Sequence, residues 1–312
     1  MFVNITEFLG GIGIFFFALL LLDEAIAKSP EKLKSALNKS LGNEYFECFL
    51  GFASSAITQS STAINGILIN LADHDIIKRK SCYFVVMGTN IGTTLTAFIA
   101  VLAKINISQL FIVIPFVCAV LMMVIKKEKI KNILYYVCVV SLIFTGLYIV
   151  NRTVPSFLEE FDAIRLKDID AWGLFALSTA ATALCQSSAL ISVITVTLSG
   201  YGMLTFEGAM FMIMGANLGT CATGLWASIG KSKAGVSVAV FNILLNAAGI
   251  LLHVFLYYTG LLNWFVKVNV SMDTKTALFH AFFNVVTTLF VFPFVKTLDH
   301  VRLGKRIISF YE

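Results

Sequence analysis

A polar pentapeptide occurs twice in a chain that is otherwise strongly apolar. Thr58-Gln59-Ser60-Ser61-Thr62 is answered by Cys185-Gln186-Ser187-Ser188-Ala189, with the Gln-Ser-Ser core displaced by 127 in the numbering. Gly88-Thr89-Asn90-Ile91-Gly92-Thr93 recurs as Gly215-Ala216-Asn217-Leu218-Gly219-Thr220 at the same displacement. Between 51 and 96 the copies share 15 of 46 positions without a gap, and the matches concentrate in the two motifs. The chain is a duplicated unit, and its fold has to use both copies.

Composition limits what that unit can be. The 312 residues are 58% hydrophobic and only 13% charged, with a mean hydropathy of +0.87. Soluble domains carry about 25% charged residues, and a transmembrane helix needs about 20 mostly apolar ones. The chain therefore reads as an all-α integral membrane protein. Its net charge of +5 resides in short loops, where Lys and Arg set orientation and do not bind nucleic acid. Cys48, Cys82, Cys118, Cys138, Cys185 and Cys221 form no CxxC pair, which points to free thiols and away from a disulfide framework or a zinc site. The first apolar run ends in Ala25-Ile26-Ala27, as a cleaved signal peptide could. No basic residue precedes the run, and the repeat displacement carries it largely onto another apolar run, so it is expected to remain as a span.

Apolar segments cover 8–27, 45–72, 81–103, 107–125, 132–150, 171–200, 204–230, 234–262 and 276–298. The two that carry Gln-Ser-Ser, 45–72 and 171–200, are long enough for a tilted span or for a hairpin that enters and leaves by one face. Loop charge favours the hairpin. With both as hairpins and the N-terminus outside, the cytoplasmic loops hold Lys28, Lys32, Lys34 and Lys39, then Lys78, Arg79 and Lys80. They also hold Lys126, Lys127, Lys129 and Lys131, then Lys231 and Lys233, and the tail residues Arg302, Lys305 and Arg306. The outer side keeps Lys104, the acidic 151–170 and a weakly basic 263–275, in accord with the positive-inside bias. Each half then has three full spans and one re-entrant helical hairpin, and an odd number of crossings turns the second copy upside down. The expected fold is an inverted repeat. Its parts are 1–131 with a cytoplasmic-side hairpin, 132–262 with an outer-side hairpin, and 263–312 with one extra C-terminal span and a short cytoplasmic tail. Residues 28–43 are expected to form a short interfacial helix with Leu33 and Leu37 on one face.

Gln59 and Gln186 fall at the tips of such hairpins. Non-helical backbone at mid-membrane survives only where it is buried in protein or lines a watery cavity. A helix start there offers backbone N–H groups and a positive dipole end to an anion. Serine hydroxyls can donate to anion oxygens or accept toward a cation, so two opposed tips can surround one oxyanion. Asn90 and Asn217 lie near the middles of 81–103 and 204–230 between glycines, as in a broken helix with freed carbonyls. Such carbonyls, with Thr93 and Thr96 in one half and Thr220 and Thr223 in the other, make a neutral hard-cation site that suits Na+. Ser, Thr and Gly in membrane helices also serve close packing, but packing alone does not require mid-segment Gln and Asn twice. Asp23 and Glu24 read as interfacial, Glu207 as a helix-start charge, and His253 and His280 as structural histidines. Tyr257, Tyr258 and Trp264 fit an aromatic belt. The sequence has no Walker motif, catalytic triad or paired acid–base set, so neither an enzyme nor an ATP-driven pump is expected.

The TQSST and CQSSA pentapeptides, each followed by GTNIGTT or GANLGTC at one and the same spacing (Gln59 to Asn90, Gln186 to Asn217), resemble the sodium–phosphate cotransporter family. That family includes the bacterial Na+/phosphate symporters and the animal type II cotransporters. The resemblance spans 45–298, and Phe241-Asn242 and the Phe282-Phe283-Asn284 after His280 look like the Phe-Asn elements that follow the family's repeats. It implies a secondary active transporter in the cell membrane, carrying inorganic phosphate into the cell by sodium-coupled symport with alternating access. Carried over by position, Ser60, Ser61, Ser187 and Ser188 contact phosphate. Gln186, Ser187, Thr220 and Thr223 line a Na+ site, with Gln59, Asn90, Thr93 and Asn217 as pseudosymmetric or supporting ligands. The family's third serine is Thr62 in one triplet and Ala189 in the other, so the second half has one hydroxyl fewer.

Na+ is thus the expected coupling ion, with no other cofactor, and the expected partners are phosphate, Na+ and the lipid bilayer. Many bacterial relatives add a cytoplasmic helical domain resembling the phosphate-regulatory PhoU protein, which these 312 residues do not include. The alternatives are sodium-coupled transport of another small anion and a non-transporting phosphate-sensing membrane protein. The oligomeric state stays open.

Overall fold

Apolar helix-forming runs separated by short capped turns make up the whole described chain. The computed structural model describes residues 2–27, 42–103, 111–160 and 166–297, and among these there is no strand. In chain order the helices are α1 (Phe2–Ala27), α2 (Glu44–Thr58), α3 (Ser61–Asp73), α4 (Arg79–Thr93), α5 (Leu95–Leu102), α6 (Ile114–Val124) and α7 (Glu128–Glu160). They continue as α8 (Ala171–Cys185), α9 (Ser188–Gly200), α10 (Phe206–Gly219), α11 (Cys221–Ser228), α12 (Lys233–Tyr258), α13 (Asn263–Val266) and α14 (Met272–Thr297).

Among the described residues, five stretches are long and apolar enough to cross a membrane: Arg79–Leu102, Glu128–Val154, Phe206–Ser228, Lys233–Tyr258 and Met272–Thr297. They coincide with the spans expected at 81–103, 132–150, 204–230, 234–262 and 276–298. The chain is a multi-pass, all-helical membrane protein. The span expected at 8–27 lies in α1, whose apolar part, Thr6–Leu22, is shorter. The span expected at 107–125 is represented by α6, since 104–110 lie outside the described residues. The interfacial helix expected in 28–43, Lys104 and the basic tail also lie outside them, apart from residues 42 and 43. The acidic connection expected from 151 begins as helix instead, because α7 continues to Glu160.

The duplication reappears in the element boundaries. α8 and α9 begin and end at the positions that the repeat displacement assigns to α2 and α3. The caps keep the same step: Asn43 Oδ1 accepts from Phe46 N at 3.1 Å, and Asp170 Oδ1 from Gly173 N at 2.9 Å. α2 lies along α4 and α8 along α10. Between helices in lipid, close approach replaces the hydrophobic drive, and small residues permit it. A Cβ on Gly88 would stand 1.8 Å from the Cys48 carbonyl oxygen, and one on its counterpart Gly215 would stand 2.3 Å from the Phe175 carbonyl oxygen.

Both halves contribute to shared cores. Leu68 of α3, Phe84 and Met87 of α4 and Val238 and Leu245 of α12 form one buried cluster, and Val295 of α14 joins it. Phe15 of α1, Ala97 of α5, Leu147 of α7 and Leu190 of α9 belong to a second. Two further clusters, one around Phe211 and Phe283 and one around Leu174 and Met212, lie wholly in the second half of the chain.

Candidate functional site

Each Gln-Ser-Ser motif occupies a two-residue break between helices. Gln59 ends α2 in the left-handed region (φ 55°, ψ 20°), and Ser60 opens α3 from an extended conformation (φ −139°, ψ 102°). Gln186 (φ 55°, ψ 25°) and Ser187 (φ −140°, ψ 101°) repeat this turn between α8 and α9. Left-handed backbone costs a non-glycine residue about 1–2 kcal/mol and persists where its surroundings over-determine it.

Ser60 Oγ accepts from Ala63 N at 3.1 Å, and Ser187 Oγ from Leu190 N at 3.2 Å. A capping hydroxyl still has its own O–H to donate. The first N–H groups of α3 and α9 have no intrahelical carbonyl. Each break therefore presents donors and a positive dipole end without a formal charge.

The two halves treat their glutamines differently. Gln59 is buried; its Oε1 accepts from Thr96 Oγ1 at 2.6 Å, and its Nε2 donates to the Ala56 carbonyl. Gln186 is exposed, and Thr223, the counterpart of Thr96, donates instead to the Thr220 carbonyl at 3.0 Å. Ser60, Ser61 and Ser188 are buried and Ser187 is half-buried. α3 packs on α11, and α9 packs on α5. Each helix that starts at a break thus runs against an element of the other half. No hydrogen bond joins the two triplets directly.

Asn90 and Asn217 correct the expectation of a broken helix at the asparagines. Both lie within continuous helical turns, and the interruption comes later, at Thr94 (φ −64°, ψ −23°) and Thr220 (φ −62°, ψ −22°). These dihedrals remain helical, so the spans do not unwind there. The Asn90 carbonyl accepts from Thr93 Oγ1 at 2.8 Å, and the Asn217 carbonyl accepts from Thr220 Oγ1. The carbonyls expected to be free are therefore occupied, and the flanking glycines serve helix contact.

What remains for a ligand is side-chain chemistry. Asn217 donates its Nδ2 to the Ile213 carbonyl at 2.8 Å, which leaves Oδ1 as an acceptor. Asn90, Thr93 and Asn217 are buried, and Thr220 and Thr223 are half-buried. Among the described residues no cluster of three His, Cys, Asp or Glu occurs, so the oxygens gathered around the breaks are neutral. Thr96 is absent from the ligand set that the resemblance implies; its place as the repeat counterpart of Thr223 is the signal that finds it.

Comparisons with known proteins place the chain in a family. The family model described as Na+/Pi-cotransporter matches residues 14–152 and 167–267, which include both Gln-Ser-Ser breaks and both asparagine motifs. A Salmonella typhimurium protein named "Putative inorganic phosphate export protein YjbB" is 25% identical over 284 residues, covering 89% of this chain and 50% of the relative. Its Escherichia coli K12 namesake is also 25% identical, over 285 residues, with the same coverage of 89% and 50%. The chain thus spans about half the length of these relatives. YqeW of Bacillus subtilis, named as uncharacterized, is 25% identical over 241 residues, with 76% of each chain covered. No solved structure matches the chain. On the match across both halves, the chain belongs to the Na+/Pi-cotransporter family, a family of membrane transporters.

Proposed function

We propose that the chain is a sodium-coupled phosphate transporter working by alternating access. The observation that carries the reading is the pair of equivalent Gln–Ser turns, each opening a helix that packs on the opposite half. α2, α3, α8 and α9 have 13 to 15 residues each, about 20–22 Å at 1.5 Å per residue. This is short of the ~30 Å hydrocarbon thickness, which supports 45–72 and 171–200 as re-entrant hairpins. Together with the loop charges it supports an inverted repeat of 1–131 and 132–262, with 263–312 as an addition.

In this reading Ser60, Ser61, Ser187 and Ser188 donate to phosphate. Gln186, Ser187, Thr220 and Thr223 supply oxygens to Na+, with Gln59, Asn90, Thr93 and Asn217 in pseudosymmetric or supporting places. A cation beside the anion cancels charge, so each ligand favours the other. A buried Gln59 and an exposed Gln186 fit a state open toward one side. Under an inward Na+ gradient the cycle carries phosphate into the cell. The test is labelled-phosphate uptake into proteoliposomes with and without a Na+ gradient; uptake indifferent to Na+ overturns the coupling.

A second reading, net phosphate export, is favoured by the name of the YjbB relatives. Cells expressing the chain would then lose preloaded phosphate faster than control cells, where the import reading expects faster accumulation.

A further inference from the structure

α14 packs against α4, α5, α9, α10 and α12. One of its faces carries Thr276, His280, Asn284 and Thr287, all buried. α9 has a matching buried face of Ser188, Ser192, Thr195 and Ser199. Ser199 Oγ, in the last turn of α9, lies 2.7 Å from Thr276 Oγ1 and donates to the Met272 carbonyl at 3.1 Å, in the first turn of α14. The helices leave this contact in antiparallel sense. One to two turns along, the faces carry Thr195 and Ser192 on α9 and His280 on α14.

His280 is 1% exposed, and neither ring nitrogen has a hydrogen-bond partner. Ser192 Oγ and Thr287 Oγ1 are also buried without partners. A structural histidine is held otherwise. His253 on α12 bonds the Gly249 carbonyl through Nδ1 at 2.8 Å, leaving only Nε2 without a partner, and packs its ring against Phe279, Phe282 and Phe283. Buried polar groups are ordinarily satisfied, and an ionisable residue inside a membrane bundle ordinarily lines a pathway. Thr287 Oγ1 lies toward Gly249 of α12, so the unsatisfied His280 and Ser192 are the groups that make the α9–α14 contact a polar seam to which water can bond.

Among the described residues no charged side chain is bonded to His280. α5 and α9 carry no titratable side chain. α10 offers only Glu207, which is hydrogen-bonded to Tyr257. α12 offers His253, with Lys233, Tyr257 and Tyr258 toward its ends, and α4 offers Arg79, Lys80, Cys82 and Tyr83 in its opening turns. On α14 itself, Asp273 and Lys275 lie at one end and Lys296 at the other. The α9 face begins at Ser188, one of the proposed phosphate contacts, two turns from Thr195, and Asp273 stands two turns from His280 on α14 itself, so the anion and Asp273 are the candidate counter-charges.

We infer that His280 is a proton-binding site coupled to anion occupancy, making the proton a third ligand beside Na+ and phosphate; this rests on Ser187 and Ser188 as anion contacts. With the seam wetted, a hydronium ion gives its proton to the unprotonated ring nitrogen. An N–H bond forms, an O–H bond of the hydronium breaks, and neutral water leaves an imidazolium behind. The added charge strengthens anion binding, and by reciprocity the anion strengthens proton binding.

Two measurements test this. Full-length protein with 15N-labelled histidine, in nanodiscs, is titrated by NMR from about pH 5 to about pH 9, with and without Na+ and phosphate. The resonance missing in H280Q identifies His280. The ring should titrate, with its midpoint raised by Na+ and phosphate; a ring that stays neutral throughout both titrations overturns the proposal. In proteoliposomes under a fixed Na+ gradient and equal pH on both sides, uptake should rise by up to about tenfold per unit fall in pH, the slope of one linked proton. H280Q should keep only the dependence due to phosphate's own ionisation, while H253Q should behave as wild type. Identical pH profiles for wild type and H280Q overturn the proposal. If phosphate moves under no gradient, the transport reading has failed, and the histidine titration still decides the proton site.

Discussion

Thr96 Oγ1 donates to Gln59 Oε1 at 2.6 Å, while their counterparts in the second copy, Thr223 and Gln186, make no such bond. One copy of the duplicated unit has its glutamine buried and bonded to Thr96, and the other has it exposed. The same local sequence thus occupies two environments within one molecule.

Removing the Thr96 hydroxyl should expose this asymmetry. T96V leaves the buried Gln59 Oε1 without its donor, a loss of about 1–3 kcal/mol. T223V removes a hydroxyl whose hydrogen bond is to the nearby Thr220 carbonyl, and should change the stability of the ion-free protein by less. Thermal unfolding of the purified variants in detergent checks the order; an equal shift for both would mean that the Gln59 bond contributes nothing distinctive.

Ser60 and Ser187 each combine a cap with a free donor. S60A and S187A should cost about 1 kcal/mol of stability through the cap and reduce phosphate transport more strongly than that loss accounts for. S60T and S187T keep both functions and should retain transport. S141A is the control, because Ser141 Oγ bonds only the Val137 and Cys138 carbonyls of its own helix at 2.7 and 2.8 Å. Equal transport in S60A, S187A and S141A would reduce the triplets to packing.

The motif glycines should be intolerant of a single methyl group. At Gly88 a Cβ meets the Cys48 carbonyl oxygen at 1.8 Å, whereas at Gly66, inside α3, nothing lies within 4 Å. G88A forces α2 and α4 apart and should cost at least the ~1–3 kcal/mol typical of overpacking. G66A should stabilise by about 0.5–1 kcal/mol, as alanine does in a helix interior. Monodisperse yield and melting temperature separate the two.

Asp73 ties the end of α3 to the start of α12. Its Oδ1 accepts from Ser232 N at 2.6 Å, and Lys231 Nζ lies 3.3 Å from Oδ2. The Ser232 N–H foremost, with the Ser232 hydroxyl and Lys231 adding to it against the opposing effect of burial, holds the Asp73 carboxyl below its usual range. For a depressed carboxyl, the stabilisation is complete above the unfolded value of about 3.9 and is lost as pH falls through the lower folded value. D73N should therefore melt earlier than wild type at neutral and mildly acidic pH, with the gap closing only below about pH 4. A gap that closes between pH 5 and 7 would assign the effect to another group.

The two breaks were legible because their cause is local: Gln-Ser-Ser interrupts an apolar run, and Ser60 or Ser187 caps the helix after it. The asparagines misled for the same reason. Glycines on either side of Asn90 read as a broken helix in one dimension, while in space Gly88 and Gly92 meet the carbonyls of Cys48 and Phe52 across a helix contact. His280 looked like any lone histidine, because the hydrogen bonds it lacks depend on residues far away in the chain.

By itself the sequence determined the membrane class, the duplication and the positions of the two Gln-Ser breaks, since hydropathy, the constant repeat spacing and capping are properties of the chain read in order. The tertiary structure decided which copy holds its glutamine, which carbonyls stay occupied and which buried groups lack partners. Those outcomes depend on which helix faces meet, and two segments with the same Gln-Ser-Ser core met different neighbours.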